Sequence, residues 1–278
     1  MPLPHFLIAG AQKAGTSWLA RRMTNHPDVF MPPKELNFFS LDEHYLRGVD
    51  WYGRYFTGAQ SGQIVGEKSP GYLYTFRQNE VVSVAQRVCE TLPDVKIMFV
   101  LRDPVERAIS SVFHHMYNRR FPPTASLSDV LFGRFSETAR FWGILETGLY
   151  ARNLEPYFRA FGEDQIRIWI YEEDVVRAPE AMSSDAFEFI GLTTSHQVPR
   201  APIRPANVGV RSRLALRGNY YLPALSSLWQ AMDRALPGVL EIKADPNCLD
   251  RLRDYYDAEN KRLSSRLGRP FPHWQCCP

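Results

Sequence analysis

The chain of 278 residues lacks several features that would settle its class at once. No apolar run approaches the roughly 20 residues of a membrane-spanning helix. The first residues pass straight into a core-strand pattern, which leaves no room for a signal peptide. Cysteine is scarce: the four, Cys89, Cys248, Cys276 and Cys277, have no zinc-site spacing, and an adjacent pair at a chain end suits a structural bridge poorly. They read as packing residues or tail thiols of a reduced, cytoplasmic protein. The seven histidines make no metal-ligand spacing, so no metal is expected. Charge of one sign is also missing, since the formal net charge is +3. Attraction for anions must therefore come from local clusters. Without a basic run or a recognition motif, nucleic acid is not an expected partner. Internal repeats and low-complexity segments are absent too. What remains is 45% hydrophobic and 23% charged, an ordinary globular balance in a chain long enough to bury a substantial core.

Three short apolar runs read as buried strands: "HFLIAG" (5–10), "KIMFVLR" (96–102) and "IRIWIY" (166–171), with "QIVGEKSP" (63–70) a weaker fourth. Helical patterns alternate with them. Thr16 to His26 places Trp18, Leu19, Arg22 and Met23 at helical spacing and stops at Pro27. In "DPVERAISSVFHHMYN" Asp103 is the expected N-cap, Pro104 suits the first turn and Glu106 completes a capping-box-like start. "GLYARNLEPYFRAFG" sets Leu149, Leu154, Tyr157, Phe158 and Phe161 on one face. This order predicts an α/β fold, a single domain over 1–278 with a central parallel sheet flanked by helices. The strands and their alternating helices cover about 5–175. Residues 119–140 read as a long loop with helical pieces. Residues 199–219, rich in proline and arginine, fit no regular pattern and read as a cap or mobile loop. A last helix near 248–267 carries Leu249, Leu252, Tyr256, Leu263 and Leu267 as a stripe.

Gly10 to Ser17, "GAQKAGTS", fits the phosphate-loop pattern G-x-x-x-x-G-K-[ST] at every position but one. Thr16 stands where the lysine belongs, and a lysine appears three residues earlier, at Lys13. A strand ending in a glycine-containing turn that opens a helix aims N–H groups and the helix dipole at one spot. Lys13 on the loop itself suits an anion shorter than a triphosphate, such as a phosphosulfate on a nucleoside 5′ position. Arg102 ends the next strand, and Ser110 follows two turns into the capped helix. Ligands of open α/β sheets bind at such strand ends. Taken singly, Arg102 could equally pair with Asp103 or Glu106, and the loop could hold no ligand.

Lys13 with "GTSW", then "KELNFFS", "EKSPGY" and "LRDPVERAIS", resemble the sulfotransferase family that uses 3′-phosphoadenosine 5′-phosphosulfate (PAPS). The branch resembled contains heparan sulfate sulfotransferase domains and their bacterial relatives. The likeness spans about residues 5–175 and returns at "DYYDAENKRLSSRLGR". It implies that Lys13, Ala14, Gly15, Thr16, Ser17 and Trp18 surround the 5′-phosphosulfate, and that Arg102 and Ser110 hold the 3′-phosphate. It implies Glu35 as the catalytic base, with Lys13 and Lys68 beside the reacting sulfuryl group. PAPS is then the cosubstrate and PAP the product. Read without it, Glu35 is a solvated loop glutamate and Lys68 an ordinary strand-end lysine. The chain departs from the branch at Asn37, where histidine or glutamine is frequent. Arg211 and Arg213, in "VGVRSRLALRGN", are the expected cap on the nucleotide, although the loop pattern is not cleanly matched and the disulfide of Golgi members has no counterpart.

The expected acceptor is a hydroxyl or amine of a glycan or small secondary metabolite. Arg47, Arg54, Arg119 and Arg120, or the rings of Trp51, Tyr52, Tyr55, Tyr72, Tyr74 and Trp142, are candidates to line its cleft. His114 and His115 are alternative bases. A P-loop kinase or nucleotide hydrolase is the competing reading, with Asp103 at the strand end as a magnesium ligand.

Overall fold

The computed structural model describes all residues except 75, 78–79, 82, 193–211, 236–244, 272–273 and 275–278. In chain order its strands are β1 (Phe6–Gly10), β2 (Val29–Phe30), β3 (Ile64–Lys68), β4 (Phe76–Arg77), β5 (Glu80–Val81), β6 (Lys96–Leu101) and β7 (Ile166–Ile170). Its helices are α1 (Thr16–Thr24), α2 (Asp42–Tyr45), α3 (Gly48–Gly53), α4 (Val84–Thr91), α5 (Pro104–Tyr117), α6 (Leu127–Leu131), α7 (Ser136–Phe141), α8 (Tyr150–Ala160), α9 (Pro179–Phe189), α10 (Arg213–Tyr221), α11 (Ser226–Ala235) and α12 (Pro246–Leu267). The chain divides into two compact units, one of 1–102 with 150–203 and one of 103–149 with 204–278.

The first unit holds a five-stranded sheet in the order β2-β3-β1-β6-β7. Every neighbouring pair is parallel. β1 is buried along its whole length and β6 along nearly all of it, as their unbroken apolar sequences require of central strands. β7 exposes Arg167. Phe6, Ile8, Trp18, Leu19, Met98, Val100 and Trp169 share one core cluster with Met182 and Phe187 of α9. The two-residue β2 was not foreseen; two residues are too few to show a period. The weaker strand reading at 63–70 holds as β3, with Gly66 opposite Phe6 in the register.

The second unit is helical. Asp103 caps α5 as expected, its Oδ1 accepting from the N–H of Val105 at 2.8 Å and of Glu106 at 3.5 Å. Val112, Met116, Phe121, Val130, Leu252 and Tyr256 lie in its core. The stripe expected on α12 is buried at Leu252, Tyr256 and Leu263, with Cys248 and Asn260 joining it. The expectation of an irregular 199–219 is corrected over 213–219, which lie in α10. Ser212 caps that helix by accepting from the Ala215 N–H at 3.1 Å, and Leu216 and Ala215 bury its inner face. Residues 199–211 of the proposed cap lie outside the described residues.

Gly66 is required by close approach: a Cβ there would run into the Phe6 ring. Gly66→Ala is expected to destabilise the protein by roughly 1–3 kcal/mol through overpacking. Chemical denaturation with an unchanged m-value would register it, and an unaltered midpoint would contradict the packing argument.

Candidate functional site

The loop after β1 is held by one main-chain bond to the neighbouring strand and one within the turn. Ala11 N–H reaches Val100 O at 2.8 Å, and Ala14 N–H turns back to Ala11 O at 3.2 Å. Lys13 has φ 70° and Gly15 φ 97°. A side chain at position 15 would be strained and would meet the Tyr171 ring at 2.8 Å, so glycine is needed there. Lys13 accepts the same left-handed region without glycine's freedom, as residues at functional turns often do. Gly15 precedes α1 and supplies no side-chain cap. The first helical bonds run from the N–H of Trp18 and Leu19 to Gly15 O, so the N–H groups of Thr16 and Ser17 sit in the first turn, where a helix has no acceptors of its own. This suits an anion.

Around this turn the structure gathers some of the expected residues. Arg102 Nη1 approaches Lys13 O at 3.5 Å, and its guanidinium lies 5.3 Å from the Tyr171 ring centroid. The Tyr150 hydroxyl donates to Arg102 O at 2.7 Å, fixing the strand end. Burial first, and the nearby Arg102 charge second, lower the Lys13 amine to about 8. Lys68 Nζ lies 2.7 Å from Glu35 Oε1 and 3.2 Å from Ser17 Oγ. One ammonium thus joins the expected base to the expected phosphosulfate loop. That pair is 20% and 44% exposed on its two side chains, so its worth is orientation rather than stability.

Other expectations fare differently. Ala14 and the Trp18 indole turn into the core, Trp18 being 4% exposed; they shape the loop from behind. Ser110 is half-buried on α5 and Arg213 exposed on α10, both in the second unit. Arg211 lies outside the described residues. His115 is buried, with its ring 5.3 Å from Trp142 and 6.1 Å from Phe121, and His114 packs beside it at 5.5 Å. Those contacts describe packing. Tyr52 and Tyr72 are fully buried rather than lining a cleft. Trp51 and Tyr55 are half-buried with rings 5.0 Å apart. Lys34 stands over Tyr55 at 4.6 Å and Arg47 over Trp51 at 5.1 Å. Asp103 is engaged as a helix cap, which weighs against a magnesium role.

Sequence reasoning missed Glu67, Ser69 and Tyr171, and it read Tyr72 as a cleft residue rather than as a partner of Glu67. Glu67 is 0% exposed. It accepts from Ser69 Oγ at 2.6 Å, from the Tyr72 hydroxyl at 2.8 Å and from the Tyr52 hydroxyl in a short bond. Burial raises its carboxyl above the ordinary range, against bonds from Ser69, Tyr52, Tyr72 and the Leu36 N–H that pull it back. The available signal was its place in "IVGEK": a charged residue at an inward position of a buried strand needs partners.

An α/β sheet with a helix-opening turn at the end of β1 and a lysine–glutamate pair at the end of β3 sets charged side chains beside first-turn N–H groups, a combination suited to an anionic ligand. The chain belongs to the sulfotransferase domain family, which matches residues 3–206. It is 32% identical over 283 residues to heparan sulfate glucosamine 3-O-sulfotransferase 3B1 of Mus musculus, covering 97% of this chain and 64% of that protein. It is 30% identical to heparan sulfate glucosamine 3-O-sulfotransferase 6 of Homo sapiens, over 96% of this chain and 73% of the relative. This chain thus spans less than two thirds of the length of the 3B1 relative. A solved sulfotransferase from Alicyclobacillus acidocaldarius aligns over 99% of both chains with a TM-score of 0.73 and 27% identity. Among the described residues no helix is long and apolar enough to cross a membrane.

The Lys13 environment sets a pH expectation. Its folded value lies below its ordinary 10.5, so between about 8 and 10.5 the unfolded chain binds the extra proton. This group's contribution to stability therefore improves as pH rises through that window and is least favourable below it. Isotope-edited NMR of the dimethylated amine should titrate near 8 without ligand and move upward when PAP is added. A midpoint near 10.5 before any addition would contradict the buried, cation-flanked placement.

Proposed function

We propose that this chain transfers a sulfuryl group from PAPS to a hydroxyl or amine of a glycan or small-molecule acceptor, by in-line displacement with Glu35 as base. The observation that carries this reading is the Lys68 ammonium bridging Glu35 and Ser17 at 2.7 and 3.2 Å. It ties a proton acceptor to the edge of an anion cradle, as sulfuryl transfer from a phosphosulfate requires.

The residues fit that donor. The first-turn N–H groups and hydroxyls of Thr16 and Ser17 would hold the 5′-phosphosulfate, and Arg102 the 3′-phosphate. The acceptor oxygen or nitrogen forms a bond to sulfur while the bond from sulfur to the bridging oxygen breaks. The acceptor's proton passes to the Glu35 carboxylate. Negative charge grows on the departing 5′-phosphate, where Lys13 and the loop N–H groups stabilise it. Lys68 holds Glu35 toward that exchange and adds positive charge beside the sulfuryl group. Ala14 and Trp18 support the loop. No step calls for a metal.

Relatives named for a glucosamine acceptor support a saccharide hydroxyl, as do Trp51 and Tyr55 with Lys34 and Arg47 next to the base-bearing segment. A reducing, cytoplasmic setting belongs to the same proposal and rests on the free thiols of Cys89 and Cys248.

Two measurements test the reading. Label should pass to acceptor from radiolabelled PAPS and not from γ-labelled ATP; transfer from ATP alone would end it. Glu35→Gln should lower turnover on the order of a hundredfold or more while PAP binding by calorimetry stays unchanged. Undiminished turnover in that variant would remove Glu35 from the mechanism.

A further inference from the structure

Glu35 is exposed and its ion pair with Lys68 is partly solvated, so something else must hold its main chain in place. The segment that follows it, Leu36 to Phe38, carries N–H groups that point inward. The Asn37 N–H donates to Ser69 Oγ at 3.0 Å, and Ser69 Oγ donates to Glu67 Oε1 at 2.6 Å. The Phe38 N–H donates to the Tyr72 hydroxyl at 2.9 Å, and that hydroxyl donates to Glu67 Oε1 at 2.8 Å. The Leu36 N–H bonds to Glu67 as well. Consecutive amides immediately after the base thus end on one buried carboxylate, one directly and two through hydroxyl relays. Asn37 takes φ 50°, which bends the segment so that its amides converge.

We infer that Glu67 is the positioning residue of the reaction, a buried carboxylate that clamps the base-bearing segment through the Ser69 and Tyr72 hydroxyl relays. This rests on the reading of Glu35 as base and adds what fixes it. The donors around Glu67 all give protons and leave it acceptor only. A carboxylate meets that demand, whereas an amide or a protonated acid would turn a donor toward a donor. β3 makes the arrangement possible, because successive side chains leave opposite faces of a strand. Glu67 turns inward to hold the segment's backbone, and Lys68 turns to the other side to hold the segment's side chain.

Tyr52 supplies the internal control. Its hydroxyl donates to the same carboxylate, and its ring stacks on Phe38 at 4.3 Å and 8°, but its hydroxyl bridges to none of the segment's amides among the described contacts. Substituting Glu67 itself would leave several donors buried and unpaired and so disturb folding; the hydroxyls give the cleaner test.

Tyr72→Phe, Ser69→Ala and Tyr52→Phe are compared by amide hydrogen exchange, by melting temperature, and by PAPS-dependent turnover with an N-sulfated heparan oligosaccharide as acceptor probe. Tyr72→Phe should speed exchange at Phe38, and Ser69→Ala at Asn37, on the order of tenfold or more. Each should lower kcat on the order of tenfold with the KM for PAPS unchanged. Tyr52→Phe should lose comparable thermal stability yet leave both amides and kcat within about twofold of the parent. Equal exchange and equal kcat loss in all three, following melting temperature, would reduce Glu67 to a structural role and overturn the inference. Exchange alone decides the clamp if the probe is not turned over. Glu35→Gln in the same series separates the two readings. If it stays active, the base assignment fails. If it is inactive while Tyr72→Phe and Ser69→Ala turn over like the parent, the base stands and the positioning role falls.

Discussion

The parallel pairing of β1 with β3 is the constraint on which the site depends. Phe6 faces Gly66 and Ile8 faces Lys68, so β3 closes opposite Ile8, just before β1 ends at Gly10. The chain leaving β1 enters the Lys13–Gly15 turn, and β3 closes with Lys68. Register therefore sets the reach of the Lys68 ammonium to Ser17. Close pairing is possible because position 66 has no side chain to collide with Phe6.

Neighbouring residues on β3 then divide the work by face. Burying Glu67 is costly unless its oxygens are satisfied, and the groups satisfying it include the backbone that carries Glu35. Stability of the core and placement of Glu35, the proposed base, are thereby coupled through one carboxylate. The exposed Glu35–Lys68 pair could not do this alone. Solvated ion pairs contribute little and hold loosely, whereas main-chain amides tied to buried hydroxyls have few alternatives.

Much of the fold was legible because the central strands β1 and β6 are apolar throughout and the helix after β6 carries a clear cap. Phe6–Gly10, Lys96–Leu101 and the Asp103 cap follow from such patterns. The loop was legible for a similar reason: glycine at 15 and hydroxyls at 16 and 17 are local demands of a turn that opens a helix. Elements whose cause is tertiary were not. β2 exists only because β3 lies beside it. α10 hides behind arginines that remain on its outer face while Ala215 and Leu216 go inward. Glu67, Ser69 and Tyr72 look like unremarkable members of a strand and its exit until the segment from 35 to 38, thirty residues earlier in sequence, is laid against them. Resemblance pointed to Glu35 and Lys68; only geometry shows what holds them.

The displaced cation has an electrostatic logic that the phosphate-loop pattern alone does not contain. Lys13 is largely removed from water and flanked by Arg102, and both effects disfavour its charged form. A protein gains nothing from setting two cations together unless something negative comes between them. An anion carrying two or more charges would reverse both penalties, restoring solvation to the amine and turning like-charge repulsion into shared attraction. Affinity then comes partly from relieving an unfavourable arrangement already built into the fold. In the proposed transfer the same logic would favour the step over simple binding: charge accumulating on a departing phosphate would be met by an amine whose protonated form needs that charge most.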